Sequence, residues 1–334
     1  MSDVATRTDT LDSSLERDLE AYRRELTAYC YRMLGSGFEA EDAVQETMLR
    51  AWRKHDTFEG RSSLRSWLYR IATNVCLDMS QGAQRRARPM DLNSPVSAES
   101  TLDAGLPETS WVLPMADSRM LPEDSDPAEL AAGRETIRLA FVAALQHLPP
   151  KQRAVLILRE VLRWKADEVA ELLETSTPSV NSALQRARAT LDEAGIDADT
   201  TAPAPEGSED EELLARYVDA FERYDISALV SLIREDATFS MPPYELWLKG
   251  PDEVRKWMLG QGAGCQGSKL LVSRASGRPA VGIYRPAEDG DGWDPFNLCV
   301  LDFADGEIVA IHNFIFPELF PLMGLPRRIE ASEG

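Results

Sequence analysis

The residues with the clearest chemical potential lie between 165 and 191, and their chemistry is hydrogen bonding to an edge or a phosphate rather than bond making. Lys165-Ala166-Asp167-Glu168-Val169-Ala170-Glu171-Leu172-Leu173 has the period of a short amphipathic helix. Residues 174–177 read as a turn and 178–191 as a second helix, with Pro178 in its first turn. Val169, Ala170, Leu173, Val180 and Leu184 fall on the inner face of this helix-turn-helix, which leaves Ser179, Asn181, Ser182, Gln185, Arg186 and Arg188 outside. Asn and Gln can read adenine in a major groove, and Arg can read guanine or grip phosphate. A solvated helical hairpin would have the same pattern.

A second set sits on one helical stripe: Asp42, Gln45, Glu46 and Leu49 are spaced i, i+3, i+4, i+7. Two carboxylates and an amide beside a leucine suit a protein partner, although a solvated acidic face would look alike. The four cysteines (Cys30, Cys76, Cys265, Cys299) are far apart and fit no CxxC metal pattern, so buried free thiols are expected, with no metal or cofactor.

The elements that must position these residues divide the chain. At 334 residues it should hold two or three domains. Residues 15–78 are helical in period, interrupted at Gly35-Ser36-Gly37 and at Glu59-Gly60-Arg61-Ser62-Ser63, and predict a bundle of three or four helices. Residues 89–127 are rich in Pro, Ser, Asp and Glu and read as an extended acidic linker, with Trp111-Val112-Leu113 and Met115 odd for a passive tether. A second helical block covers 128–194, and an Ala/Pro/acidic joint follows at 197–208. Beyond it, helices at 211–224, 226–234 and 252–259 and strands at 270–275, 280–284, 298–303 and 308–316 predict an α+β domain. No run reaches the ~18 apolar residues of a membrane span, and the N-terminus has no signal segment, so a cytoplasmic protein without a membrane partner is expected.

Net charge is −20, which argues against a freestanding nucleic-acid binder. The excess acid is local: 15–88 carries 13 Lys/Arg against 11 Asp/Glu and 128–194 carries 9 against 9, whereas 89–127 carries 1 against 8 and 206–334 carries 12 against 23. The two helical blocks would therefore touch DNA weakly alone and need a partner to hold them there.

Leu148-Pro149-Pro150-Lys151-Gln152-Arg153-Ala154-Val155-Leu156, the helix-turn-helix and Leu184-Gln185-Arg186-Ala187-Arg188 together resemble region 4 of the extracytoplasmic-function (ECF) sigma factors of bacterial RNA polymerase. Ala40-Glu41-Asp42-Ala43-Val44-Gln45-Glu46-Thr47-Met48-Leu49-Arg50-Ala51-Trp52, and the stretch from Phe58-Glu59-Gly60-Arg61 through Trp67-Leu68-Tyr69-Arg70 to Asn74, resemble sigma region 2. The resemblance implies region 2 at 15–88, the acidic linker at 89–127 and region 4 at 128–194, each region all-α. It also implies core RNA polymerase, through its β and β′ subunits, as a partner. The Asp42 stripe would bind a coiled coil in β′. Phe58, Arg61, Arg65, Arg70, Asn74 and Asp78 would recognise and melt the minus-ten promoter element, with Ser62 or Ser63 as N-cap, while Trp67 and Leu68 are expected in the core. Arg85, Arg86 and Arg88 read as phosphate clamps or as a basic tail. Ser179, Asn181, Ser182, Gln185, Arg186 and Arg188 would read the minus-thirty-five element. Asn181 and Ala183 stand where relatives commonly have Lys and Arg, so that recognition should be weaker or differently specific. The linker would pass through the polymerase cleft, or serve only as a soluble spacer.

ECF factors commonly stop near residue 195; this chain continues. Tyr217-Val218-Asp219-Ala220-Phe221-Glu222-Arg223-Tyr224-Asp225 and Asp236-Ala237-Thr238-Phe239-Ser240-Met241-Pro242-Pro243 are similar to the SnoaL-like, NTF2-like fold, an α+β cone with a pocket, expected over 206–330. The resemblance implies a non-enzymatic initiation factor whose extension modulates activity by contacting the sigma domains. A small-molecule-binding or enzymatic role of the cone is the alternative, with Asp236, Tyr244, Trp247 and His312 as its pocket candidates. The apolar run 314–323 needs a cover.

Overall fold

The computed structural model describes residues 17–55, 58, 60, 62–102, 104–122, 126–193 and 208–331. In chain order the helices are α1 (Arg23–Leu34), α2 (Gly37–Lys54), α3 (Leu64–Met79), α4 (Pro89–Leu92), α5 (Pro127–Glu135), α6 (Leu139–Leu145), α7 (Pro150–Leu156), α8 (Ala166–Leu172), α9 (Thr177–Glu193), α10 (Ser208–Glu222), α11 (Ile226–Val230), α12 (Pro251–Leu259) and α13 (Leu319–Leu322). The strands are β1 (Ile233–Ser240), β2 (Trp247–Lys249), β3 (Lys269–Ala275), β4 (Arg278–Pro286), β5 (Trp293–Ala304) and β6 (Glu307–Phe314). They belong to two compact units, the first from 1–83, 118–126 and 144–198, the second from 84–117, 127–143 and 199–334.

The first unit is all helical. α1 ends on Gly35 at φ 75°, a left-handed position whose N–H bonds back to the Tyr31 carbonyl at 2.8 Å; a Cβ there would also meet the Gln146 side chain at 3.0 Å. Ser63 caps α3, its hydroxyl accepting the Ser66 N–H at 3.1 Å. Leu26, Tyr29, Met33, Leu68 and Tyr69 are fully buried, and the Tyr29 hydroxyl is satisfied by Thr73 Oγ1 at 2.7 Å. Trp67 is only half-buried and stacks on Phe58 with ring centroids 4.9 Å apart. In the same unit Arg153 donates to the Met33 carbonyl, to Gln146 Oε1 at 2.6 Å and to the Leu148 carbonyl at 3.0 Å. Burial pushes this guanidinium down to about 10, so it remains a cation at neutral pH, held by oxygens of Met33, Gln146 and Leu148.

The second unit is built on a six-stranded sheet of order β2-β1-β6-β5-β4-β3, antiparallel except for the β1/β6 pair. The sequence predicts a helix through 234; the helix stops at Val230, and the buried Ile233 already belongs to β1. Along β4 and β5 the side chains alternate. Val281, Ile283, Cys299 and Leu301 join the core that α10, α11 and α12 cover. Gly282 and Tyr284 face the other way, toward α13, where Phe320 sits 4.9 Å from the Tyr284 ring. The apolar run 314–323 is thus covered by its own domain, with Leu319 and Phe320 fully buried.

The largest departure from expectation is the segment read as an extended linker. Trp111, Val112, Leu113, Met115 and Ala116 are all buried, and residues 84–117 belong to the unit that contains the sheet. Ala87 bridges to Trp111, the Ser276 N–H donates to the Met115 carbonyl at 2.8 Å, and the Gly277 N–H donates to Asp117 Oδ1 at 2.7 Å. The acidic composition misleads because an apolar run sits among the acids and is buried, and Asp117 is buried with it as the acceptor of the Gly277 amide. Among the described residues no helix is long and apolar enough to cross a membrane, and all four cysteines are buried thiols.

A Cβ on Gly282 would lie 2.7 Å from Leu325 Cδ1 and 2.9 Å from Phe320 Cε1. Gly282→Val should therefore destabilise the second unit by about 1–3 kcal/mol through overpacking, read as a lower urea midpoint in the full chain, with the first unit's transition unmoved.

Candidate nucleic-acid interface

On α2 the buried residues Ala40, Ala43, Val44, Thr47 and Ala51 fix which face looks outward. Asp42, Gln45 and Leu49 are exposed on that face, and Glu46 is half-exposed, paired with Arg50 at 2.7 Å. Leu49 is 43% and Trp52 44% accessible, two large apolar side chains beside carboxylates. Trp52 was legible as the next step of the stripe, three residues beyond Leu49.

The expected minus-ten residues do not form one free surface. Arg65 donates to both Glu25 oxygens at 3.0–3.1 Å, and its guanidinium lies 5.1 Å from the Tyr69 ring centroid and 5.4 Å from that of Trp164. Arg70 donates to the Glu171 carbonyl at 3.4 Å. Asn74 and Asp78 are exposed, Asp78 lying 3.4 Å from Arg50 Nη1. Phe58 is half-buried on Trp67, and Arg61 lies outside the described residues. Arg85 is exposed. Arg86 is not a phosphate clamp here: it is 4% accessible and donates to the carbonyls of Glu108 at 2.9 Å and Trp111 at 2.7 Å, inside the second unit. Arg88 pairs with Asp91 at 2.9 Å.

The helix-turn-helix is α8 and α9, with Glu174 at φ 51° in the turn and the Ser176 hydroxyl accepting the Ser179 N–H at 3.3 Å. Val169, Val180, Leu184, Ala187 and Leu191 are buried; Leu172, rather than Leu173, completes the inner face. Ser179, Asn181, Ser182, Gln185, Arg186 and Arg188 are all exposed along α9, with Arg188 held by Glu160 at 2.7 Å. Such a row can present amide and guanidinium donors to base edges.

Of the four residues expected at the cone's pocket, only Tyr244 lines the cavity, which has a volume of about 260 Å³. Asp236 is exposed on β1 and paired with Arg234 at 2.5 Å. The Trp247 indole donates to the Asn93 carbonyl at 3.0 Å. His312 lies on the opposite face of β6 from the cavity residues Ile311 and Asn313. Its Nδ1 is 3.1 Å from Ser240 Oγ and its Nε2 3.3 Å from Asp302 Oδ2. This Ser-His-Asp order does not make a nucleophile: Ser240 is 1% accessible, and Asp302 is shared with Arg138 at 3.0 Å and Arg278 at 2.8 Å. Glu135 completes the cluster, bonding Arg138 at 3.0 Å, so charges fasten the end of α5 to β4 and β5. The polar residues that do line the cavity, among them Arg285, Asn297 and Asn313, carried no motif in the sequence.

Residues 19–86 match the family pattern of sigma-70 region 2, 138–191 that of sigma-70 region 4, and 214–311 that of the SnoaL-like domain. The ECF RNA polymerase sigma factor SigG of Mycobacterium tuberculosis H37Rv is 47% identical over 309 residues, which cover 92% of this chain and 82% of that protein. The ECF factor SigJ of the same organism is 28% identical over 331 residues, covering 95% and 96%. The crystal structure of SigJ matches with a TM-score of 0.57 at 25% identity, over 93% of this chain and 99% of that one. The chain belongs to the ECF RNA polymerase sigma factors and carries a C-terminal SnoaL-like domain. Membership makes it a transcription initiation factor whose partners are RNA polymerase and promoter DNA.

Burial would raise the Asp302 carboxyl, but the His312 hydrogen bond and the charges of Arg138 and Arg278 outweigh it and hold the group far below the usual carboxylate range. A depressed folded value means that the stabilisation is complete above the unfolded value of about 3.9 and is lost as pH falls below it. Urea midpoints should therefore drop more steeply between about pH 5 and pH 3 for the natural chain than for Asp302→Asn, which should be less stable at pH 7; parallel profiles would contradict the cluster's role.

Proposed function

We propose that this sigma factor docks on the β′ subunit of core polymerase through the α2 stripe of Asp42, Gln45, Glu46 and Leu49, extended by Trp52, and on the β subunit through region 4. The carrying observation is that Leu49 and Trp52 stand uncovered in water beside carboxylates, the arrangement of an interface centre with a polar rim. The near-neutral balance of both DNA-binding blocks gives that docking its purpose, since the polymerase supplies the affinity that their charge does not. Region 2 then engages the minus-ten element through α3, and α9 reads the minus-thirty-five element with Asn181, Gln185 and Arg186. The factor performs no bond-making reaction and works in the cytoplasm, where polymerase and promoter are. Its SnoaL-like domain modulates activity by holding residues 84–117, the chain between the two DNA-binding regions.

In the free protein Arg65 and Arg70 are occupied by Glu25, Trp164 and Glu171, so minus-ten recognition by α3 requires region 4 to leave this face. The closed packing is a restraint that polymerase binding releases.

Two measurements check these readings. Leu49→Asp or Asp42→Arg should weaken association with core polymerase by at least about 30-fold, the scale of an interface hot spot, without moving the melting temperature; unchanged association would remove the proposed anchor. Trp164→Ala should raise the affinity of the free factor for minus-ten single strand by about two- to tenfold, the worth of one cation–π contact, whereas an unchanged or lower affinity would contradict the restraint.

A further inference from the structure

The cone cavity is a largely apolar chamber in which two polar groups are incompletely satisfied by the fold. Its walls include Phe239, Trp257, Ile283 and Ile311. Asn297, 5% accessible, donates through Nδ2 to Asn313 Oδ1 at 2.7 Å, while its own Oδ1 has no hydrogen-bond partner. A buried carbonyl oxygen left without a donor is destabilising, and Asn297 lines the cavity. The second group is Arg285, also a lining residue. Among the described residues this cation has no carboxylate partner: it donates to Cys265 Sγ at 3.2 Å, lies over the Phe296 ring and leaves its buried Nε unsatisfied. An unpaired guanidinium beside an apolar chamber is suited to an anionic oxygen pair, which it can bind in bidentate fashion.

The remaining wall comes from the segment between regions 2 and 4. Leu102 and Tyr244 line the cavity and also an outer groove, so the two side chains form the partition between them. The segment is held there by a few polar contacts: the Val96 N–H to the Trp247 carbonyl at 3.0 Å, the Gln261 amide to the carbonyls of Ala98 and Ser100 at 3.1 and 2.9 Å, and the Leu106 N–H to the Pro243 carbonyl at 2.9 Å. A cavity of about 150 Å³ accepts benzene, so about 260 Å³ takes a body of one to two rings.

We propose that the cone binds a one- or two-ring apolar carboxylic acid bearing a hydroxyl group, with its carboxylate on Arg285, its hydroxyl donating to Asn297 Oδ1 and its body against Leu102. Because Leu102 belongs to the docked segment, occupancy stabilises the docking of residues 96–106, and the docked segment strengthens binding by the same factor. The site couples a small acid to the chain that joins the two promoter-reading regions.

The test titrates the full-length protein with 6-hydroxy-2-naphthoic acid, its neutral carboxamide and its deoxy analogue 2-naphthoic acid, by calorimetry. The hydroxy acid should bind saturably below about 1 mM, at least about tenfold more tightly than the carboxamide, which lacks the charge-assisted hydrogen bond, and about two- to tenfold more tightly than the deoxy acid, which lacks a neutral one. Arg285→Gln should erase the preference for acid over amide, Arg285→Lys should keep part of it, and Asn297→Leu should erase only the preference for the hydroxyl. Leu102→Trp, which fills the chamber from outside the sheet, should abolish binding while circular dichroism and melting stay unchanged. Bound acid should slow amide exchange at 96–106. No saturable binding, equal binding of acid and amide, or an acid preference that survives Arg285→Gln would overturn the site; unchanged exchange at 96–106 would overturn the coupling.

Discussion

The burial of one short apolar run, Trp111 to Ala116, determines how the chain is organised. Each large side chain in it is worth about 1.5–3 kcal/mol removed from water, and all of them are buried. The run therefore lies against the sheet domain, bringing residues 84–117 with it. Arg86 follows from the same constraint, since the carbonyls of Glu108 and Trp111 that enter with the run need a donor. A residue that composition assigns to a basic tail becomes an internal brace. The connection between the two promoter-reading regions is consequently a structured part of the SnoaL-like unit, and it forms one wall of that unit's cavity.

The first unit stands on a comparable device. Arg153, from the Pro-Pro-Lys-Gln-Arg motif of region 4, places a buried cation on a carbonyl at the end of α1 in region 2. A buried guanidinium is costly unless every nearby oxygen is aligned with it, so the contact tolerates few alternative arrangements. Trp164 adds ring contacts to Tyr69 and Arg65. The guanidinium groups of Arg65 and Arg70 are occupied within the unit by a carboxylate, ring faces and a carbonyl, all of which such a group accepts.

Much of this was legible in the sequence where function depends on local periodicity. The α2 stripe and the outer face of α9 follow from helical spacing alone, and their exposure agrees with it residue by residue. The strands at 270–275, 280–284, 298–303 and 308–316 were legible from their apolar runs, although helical period overran at 231–234, where the chain bends into β1. Legibility ended where partners are distant in sequence. Nothing near Arg86 announces Glu108 as its partner, and nothing near His312 announces that Asp302, Arg138 and Arg278 would turn it away from the cavity. Acid composition suggested solvent for 89–127, and the five buried apolar residues between 111 and 116 outweighed it. The cone's polar groups were missed for the same reason: alternation decides which side of a strand faces inward, but not which inward amide is left without a donor.

The docking of residues 84–117 also bears on deletion mutants. A protein cut in the joint before Ser208 keeps Trp111, Val112, Leu113 and Met115 but loses the Ser276 and Gly277 amides and the Trp247 carbonyl, which bond Met115, Asp117 and Val96. The shortened protein would therefore present an adhesive strip and unsatisfied backbone groups between its two sigma regions. Its behaviour would report self-association and misplacement of that strip as much as removal of a regulator, so point changes within the cone separate the two causes better than domain removal does.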